Sequence, residues 1–338
     1  MPSILGSVGD GGNDEKPTFP AIGQRREGRR TRRPGPWNGP IPTGRYPARM
    51  TSSSALPEKA GRTCHNVVNP FHSTHYFAPE LSGEMAKLGI ENRSAGYFAC
   101  RGAAMGAVGP GTITATFYNF KHELIAQHVP HVWTLTTPQQ VLDARLRAAD
   151  ATLRRLLGAE AVESPEMAEA AKLALRAAEG CTRQARPLYA AHADLPVPEA
   201  PHLAYWHAAT LLREHRGDGH LIALLDAELD GLEALVTHTA TGRGMSHQAI
   251  MSTRGWSEEE WQEAQERLRS RGLLDTAGEL TEAGILLRKE LERTTDRLDQ
   301  APYEHLGAEG VARLTELATG FTTTAMNAGA FPAVMFGK

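Results

Sequence analysis

A chain of 338 residues with 41% hydrophobic, 22% charged and 6% aromatic residues has ordinary globular composition and length enough for a large core. So few aromatics leave leucine and alanine to fill that core, which favours helices over sheets. The net charge of −3 is unevenly spread, with 11 Lys and Arg against 5 Asp and Glu in residues 1–62 and 25 against 34 beyond them. An acidic body excludes general nucleic-acid coating and confines any DNA contact to a local patch or to the basic arm.

Residues 1–62 are rich in Gly, Pro, Arg and Ser without apolar periodicity, so a disordered basic arm is expected there. Order is expected from Val67, and a helical domain, with a ligand pocket, over residues 63–200. VVNPFHSTHYF reads as a turn, followed by a helix ending at Gly89. Next comes GYFACRGAAMGAVGPGTITATFYNF, whose glycines and small residues permit close approach of backbones. Thr136-Thr137-Pro138 reads as a cap and first turn, and the helix it opens carries Val141, Leu142, Leu146, Leu153 and Leu156 on one stripe up to Gly158. A further helix is expected from about Pro165 to Glu179, and Pro196, Pro198 and Pro201 mark a connector.

Residues 201–322 read as a winged helix-turn-helix domain with a C-terminal helix, and 323–338 as a tail. AYWHAATLLREH predicts a helix broken at Gly217-Asp218-Gly219, and a second helix then runs to Gly242. A short helix around SHQAIMST, a turn at Arg254-Gly255-Trp256 and a Ser257-capped helix SEEEWQEAQERLRSRG follow. GLLDTAGELTEAG is expected to form a two-strand wing before a final long helix from Ile285. The fold class is therefore mainly α, a helical N-terminal domain plus a C-terminal winged helix-turn-helix with a short β-wing.

Three groups of residues carry chemistry. Glu214, His215, Asp218 and His220 cluster within a few positions beside Arg213 and Arg216, and as acid–base groups they are the catalytic candidates. Capping competes with that role, since Gly217 suits the end of one helix and Asp218 the start of the next. His72, His75 and Tyr76, with Tyr118 and Asn119 of TATFYNF and with Arg216, are candidates for lining a ligand cavity. Arg243, His247, Arg254 and Arg267 are the cations available to DNA around the predicted recognition helix. That helix opens on Glu258, Glu259 and Glu260, which would repel phosphate. No zinc-type spacing, P-loop, dinucleotide fingerprint or nucleophile elbow occurs, so no metal is assigned and the cofactor is left open.

RLRSRGLLDTAGELTEAG resembles the recognition-helix-to-wing passage of MarR-type regulators. HYFAPE, GYF, GAVGP, TATFYNF, WHAATLLREHRGDGH and TRGWSEEEW are similar to an actinobacterial family of two-part helical proteins described as helix-turn-helix proteins. The resemblance covers roughly Val67 to Phe321 and implies the fold but no catalytic residues. Together these observations lead us to expect a small-molecule-responsive winged-helix protein, a transcriptional regulator if its recognition helix meets double-stranded DNA. The alternatives are an enzyme using the Glu/His/Asp group on a small organic substrate, and a structural or partner-binding homodimer. Cys64, Cys100 and Cys181 lack paired spacing and read as reduced thiols. With no apolar run near the ~20 residues of a membrane span, a cytoplasmic homodimer without a membrane partner is expected.

Overall fold

The computed structural model describes residues 56–242 and 245–332. In chain order its helices are α1 Ala60–Ser73, a 3-10 turn Thr74–Phe77, α2 Pro79–Ala86, α3 Arg93–Gly102, a 3-10 turn Ala103–Met105, α4 Pro110–Phe117 and α5 His122–Leu135. There follow α6 Pro138–Leu157, α7 Ala159–Val162, α8 Pro165–Ala178, α9 Pro187–Ala193, α10 Pro201–Asp226, α11 Gly231–Thr239 and α12 His247–Arg254. The last four are α13 Glu258–Ser270, α14 Glu282–Leu298, α15 Ala301–Leu306 and α16 Ala308–Asn327. Local chemistry starts many of them. Thr137 with Gln140, Asp230 with Glu233 and Ser257 with Glu260 form reciprocal capping boxes, and Gly158 at φ 85° ends α6. The expected arm lies almost wholly outside the described residues, as does the end of the expected tail.

The centre is α10. Every side chain from His202 to Leu212 is buried, which makes the helix apolar or internally paired on all sides rather than amphipathic. It packs on α8, α1, α14, α9 and α6. Around its first half, Cys64, Phe71, Leu153, Met167, Tyr205 and Leu314 join α1, α6, α8 and α16 into the largest core cluster. Around its end, Leu224, Leu232, Val236, Ile250, Trp261 and Leu268 form the core of α11, α12 and α13. A third, aromatic cluster of Phe98, Phe117 and Phe120 with Ile113 and Ile125 ties α3, α4 and α5 together.

Three expectations are corrected. The helix is not broken at Gly217-Asp218-Gly219, because α10 runs through to Asp226. Its glycines make room for arginine: a Cβ on Gly219 would lie 2.6 Å from Nη1 of Arg186, and one on Gly217 3.1 Å from Nη1 of Arg213. The break comes instead at Ala227–Asp230, where Glu228 takes φ 53° and Asp230 caps α11.

The β-wing is absent, and no strand occurs among the described residues. Between α13 and α14 a turn is closed by one antiparallel bridge, Leu274 to Leu280. The Asp275 carboxylate folds that turn on itself by accepting from the amides of Ala277 and Glu279, both at 2.9 Å. Gly272 already closes α13, and Thr281 already caps α14. That leaves too few residues for a ladder. Nor is the final helix continuous, since α14 gives way to α15 and α16 at Asp299–Gln300 and Gly307.

Gly284 touches this turn tightly, because a Cβ there would lie 2.2 Å from the Leu273 carbonyl oxygen. Gly284→Ala should therefore destabilise by about 1–3 kcal/mol despite alanine's better helix propensity. Gly320 on α16 has open space around it, so Gly320→Ala should be stabilising by up to about 1 kcal/mol. Thermal melts of the two variants should move in opposite directions. A Gly284→Ala melt at or above wild type would show that α14 does not seat on Leu273.

Candidate functional site

The polar stretch of α10 sends its side chains to different places. Glu214 is fully buried and takes a two-pronged pair from Arg101, Nε to Oε1 at 3.2 Å and Nη2 to Oε2 at 3.0 Å, with Arg213 on Oε2 as well. Burial alone would push this carboxyl up. The two guanidinium groups more than reverse that and hold it well below the usual range. His215 turns toward α14 and pairs with Asp299 through Nδ1 at 2.8 Å. Asp218 reaches a third element, where its Oδ2 accepts from the amides of Leu188 (3.1 Å) and Tyr189 (2.9 Å) and so caps α9. Burial raises its carboxyl to about 6. His220 bonds Thr295 at 2.9 Å, and burial lowers its imidazole to about 4. Arg216 pairs with Asp296 at 2.9 Å, with Glu292 and Asp299 further off at 3.7 Å. The four catalytic candidates thus face separate partners. Among the described residues no group of three or more His, Cys, Asp or Glu is placed to hold a metal ion.

His72, His75 and Tyr76 meet in the interior. The Thr210 hydroxyl donates to the Trp206 carbonyl, so the Nδ1–H of His72 donates to Thr210, 2.8 Å away. His75 bonds the His72 carbonyl through Nδ1 at 2.9 Å, and its ring lies 4.0 Å from that of Tyr76. Burial holds both imidazoles well below their ordinary range, hence neutral. Arg145, 2% exposed, sits 4.7 Å over the Trp206 ring and bonds His192 at 2.9 Å.

In front of this interior, separated from it by Tyr97, lies a cavity of about 280 Å³. It is bounded by α3, α4, α10, α11, α12 and α14. Tyr118, Asn119 and His220 are on its wall. Four arginines dominate it, Arg101, Arg213, Arg254 and Arg288, and sequence reasoning singled out neither Arg101 nor Arg288. Arg101 and Arg213 are spent on Glu214. Arg288, 7% exposed, has Glu292 only at 3.5 Å, a contact to His238 at 3.2 Å and a buried Nε without a partner. Arg254 lies 4.2 Å over the Phe120 ring and contacts Thr253 and Met245, and its Nε is likewise buried without a partner. Among the described residues Arg254 has no ion pair. The signal available in the sequence was arginine standing on otherwise apolar helical faces, as in GYFACRG.

The wall segment Tyr118–Lys121 also holds the turn between α12 and α13. Tyr118 takes φ 60°, costly for a non-glycine, with its hydroxyl on the Leu229 carbonyl at 2.5 Å. Trp256 donates to the Asn119 carbonyl at 3.0 Å, the Lys121 amide to the Arg254 carbonyl at 2.9 Å, and the Lys121 ammonium to Glu260 at 2.5 Å. Of the cations expected to meet DNA, Arg243 lies outside the described residues. His247 is 3.2 Å from Glu258, and Arg267 is held by Asp230 and Glu233 at 2.8 and 3.0 Å. Arg254 points into the cavity. The exposed face of α13 carries Glu259, Glu263 and Glu266.

Three helices on a common core, with a tight turn between the second and third, are the architecture of a helix-turn-helix protein. The chain belongs to a helix-turn-helix family, whose match spans residues 61–332. No curated protein and no solved structure matches it. No helix among the described residues is long and apolar enough to cross a membrane.

Two measurements probe the α10 network. Glu214→Gln keeps the shape but strands two guanidinium groups, so unfolding free energy in urea should fall by about 3–5 kcal/mol. A loss under about 1 kcal/mol would mean water reaches the pair. Asp218 tests the pH response. Its folded value of about 6 lies above its unfolded value, so its stabilising contribution is complete below about pH 4 and is lost as pH rises through 6. The stability of the wild type relative to Asp218→Asn should therefore decline between pH 4 and 7, by an amount on the order of 3 kcal/mol. A flat difference would show an ordinary aspartate.

Proposed function

We propose that the protein is a small-molecule-responsive helix-turn-helix regulator. The observation that carries this reading is that Arg254, the last residue of α12, projects into a cavity walled by α3 and α4 as well as by α10, α11 and α14. A ligand there touches the helix-turn-helix unit itself. Membership of the helix-turn-helix family supports the DNA-binding half of the reading. The three bonds from Asn119 and Lys121 to the α12–α13 turn support the coupling. The dispersal of Glu214, His215, Asp218 and His220 among separate partners speaks against the enzyme alternative.

Charge decides how DNA is met. The outward face of α13 is acidic, and Arg267 is occupied by the start of α11, so the helix does not present a cationic surface to phosphates. Replacing Glu259, Glu263 and Glu266 with Gln should strengthen binding to a random-sequence duplex library several-fold at low salt. The gain should shrink as salt screens it. Binding by neither wild type nor variant at low salt would remove the regulator reading.

A further inference from the structure

The cavity has a charge surplus that its own residues do not neutralise. Arg101, Arg213, Arg254 and Arg288 are four cations, against the carboxylates of Glu214 and Glu292. Glu292 is moreover shared with Arg62 at 2.5 Å and with Arg216 at 3.7 Å. An uncompensated buried guanidinium is costly, and arginine does not escape by losing its proton. Two of these groups, on different helices, each keep a buried Nε–H with no acceptor: Arg254 on α12 and Arg288 on α14. Away from the arginines the wall mixes polar groups with an apolar patch that includes Tyr97, Leu221, Leu224 and Leu235. His220 offers no further cation, because its Nδ1–H is used on Thr295 and it stays neutral.

We propose that this cavity binds a small organic anion, its carboxylate or phosphate between Arg254 and Arg288 and its apolar body against Tyr97, Leu221, Leu224 and Leu235. Arginine's planar donors suit both oxyanions, and the volume suits a compact metabolite rather than a nucleotide or a peptide. The proposal deepens the ligand-responsive reading and rests on it. Because Arg254 ends α12 and Arg288 lies on α14, which follows the α13 turn, the anion bridges helices on both sides of α13. Binding would then fix the pose of the helix-turn-helix unit. A ligand of the same shape without charge would not.

The test uses cyclohexanecarboxylate, its neutral isostere cyclohexanecarboxamide and inorganic phosphate, each at matched ionic strength in chloride. Thermal melting of the full chain is the readout. At ten times its dissociation constant the carboxylate should raise the melting temperature by about 2–3 °C, and the carboxamide should not. Phosphate, having no apolar body, should shift it less. Arg254→Gln and Arg288→Gln should each abolish the carboxylate shift, and Glu292→Gln should enlarge it by removing a competing negative charge. No carboxylate shift above chloride overturns the proposal, as does an equal shift from the carboxamide or one retained in both arginine variants. A phosphate shift as large as the carboxylate's overturns the organic part. Should either arginine variant fail to fold, the wild-type series and Glu292→Gln still decide. Failure of the two readings can be told apart. Carboxylate binding without any duplex affinity removes the regulator and keeps the anion site, whereas duplex binding without a carboxylate shift does the reverse.

Discussion

The structure depends on one buried carboxylate. Glu214 lies in the middle of α10 and is itself fully buried, where an unpaired charge would be prohibitive. Arg101 from α3 and Arg213 from its own helix make it tolerable, and Arg101 is in turn stacked 4.4 Å over Phe117. One ionic contact thereby fixes α3 and α4 against α10. It also sets the back wall of the cavity, because Arg101 and Arg213 line it. The same logic repeats along α10. Arg186 fills the space left by Gly219 and bonds the Leu298 carbonyl at 2.6 Å, while Asp218 caps α9. A long central helix becomes a spine from which polar side chains position its neighbours.

That spine explains how a pocket and a helix-turn-helix come to share residues. The first half of α10 lies in the N-terminal core and its end lies in the core of α11, α12 and α13. Where the two meet, the aromatic α3–α5 cluster presents Tyr118 to Lys121 to the turn before α13. Hydrogen bonds of fixed direction make this contact less forgiving than apolar packing. A displacement of the wall must move the turn or break those bonds. The acidic outer face of α13 and the cationic cavity behind it divide the charge of this region, so electrostatics favour anions inside rather than outside.

Much of the secondary structure was legible along the chain. Thr137-Pro138, Ser164-Pro165 and Ser257 start helices where the sequence indicates, and Gly158 and Gly255 end them, because caps are settled by neighbours a few residues apart. Beyond that reach, distant partners override the local signature. Gly217-Asp218-Gly219 has the local signature of a helix junction, yet the glycines answer to guanidinium groups and the aspartate to a helix start 30 residues earlier. The wing was indicated by LLDTAGEL, but the Asp275 side chain and the Thr281 cap consume the residues that a ladder needs.

By itself, then, the sequence determined a helical chain, its principal caps, a helix-turn-helix near the C-terminus and an acidic body. These follow from periodicity, capping and composition, which act over a few residues or over the whole chain. Only the tertiary structure decided that Arg101 pairs with Glu214 across 113 positions, and that Arg254 and Arg288 line one cavity. An arginine's partner depends on which helices pack side by side, and no spacing along the chain encodes that. A charge is read as a surface residue until the fold shows what lies against it.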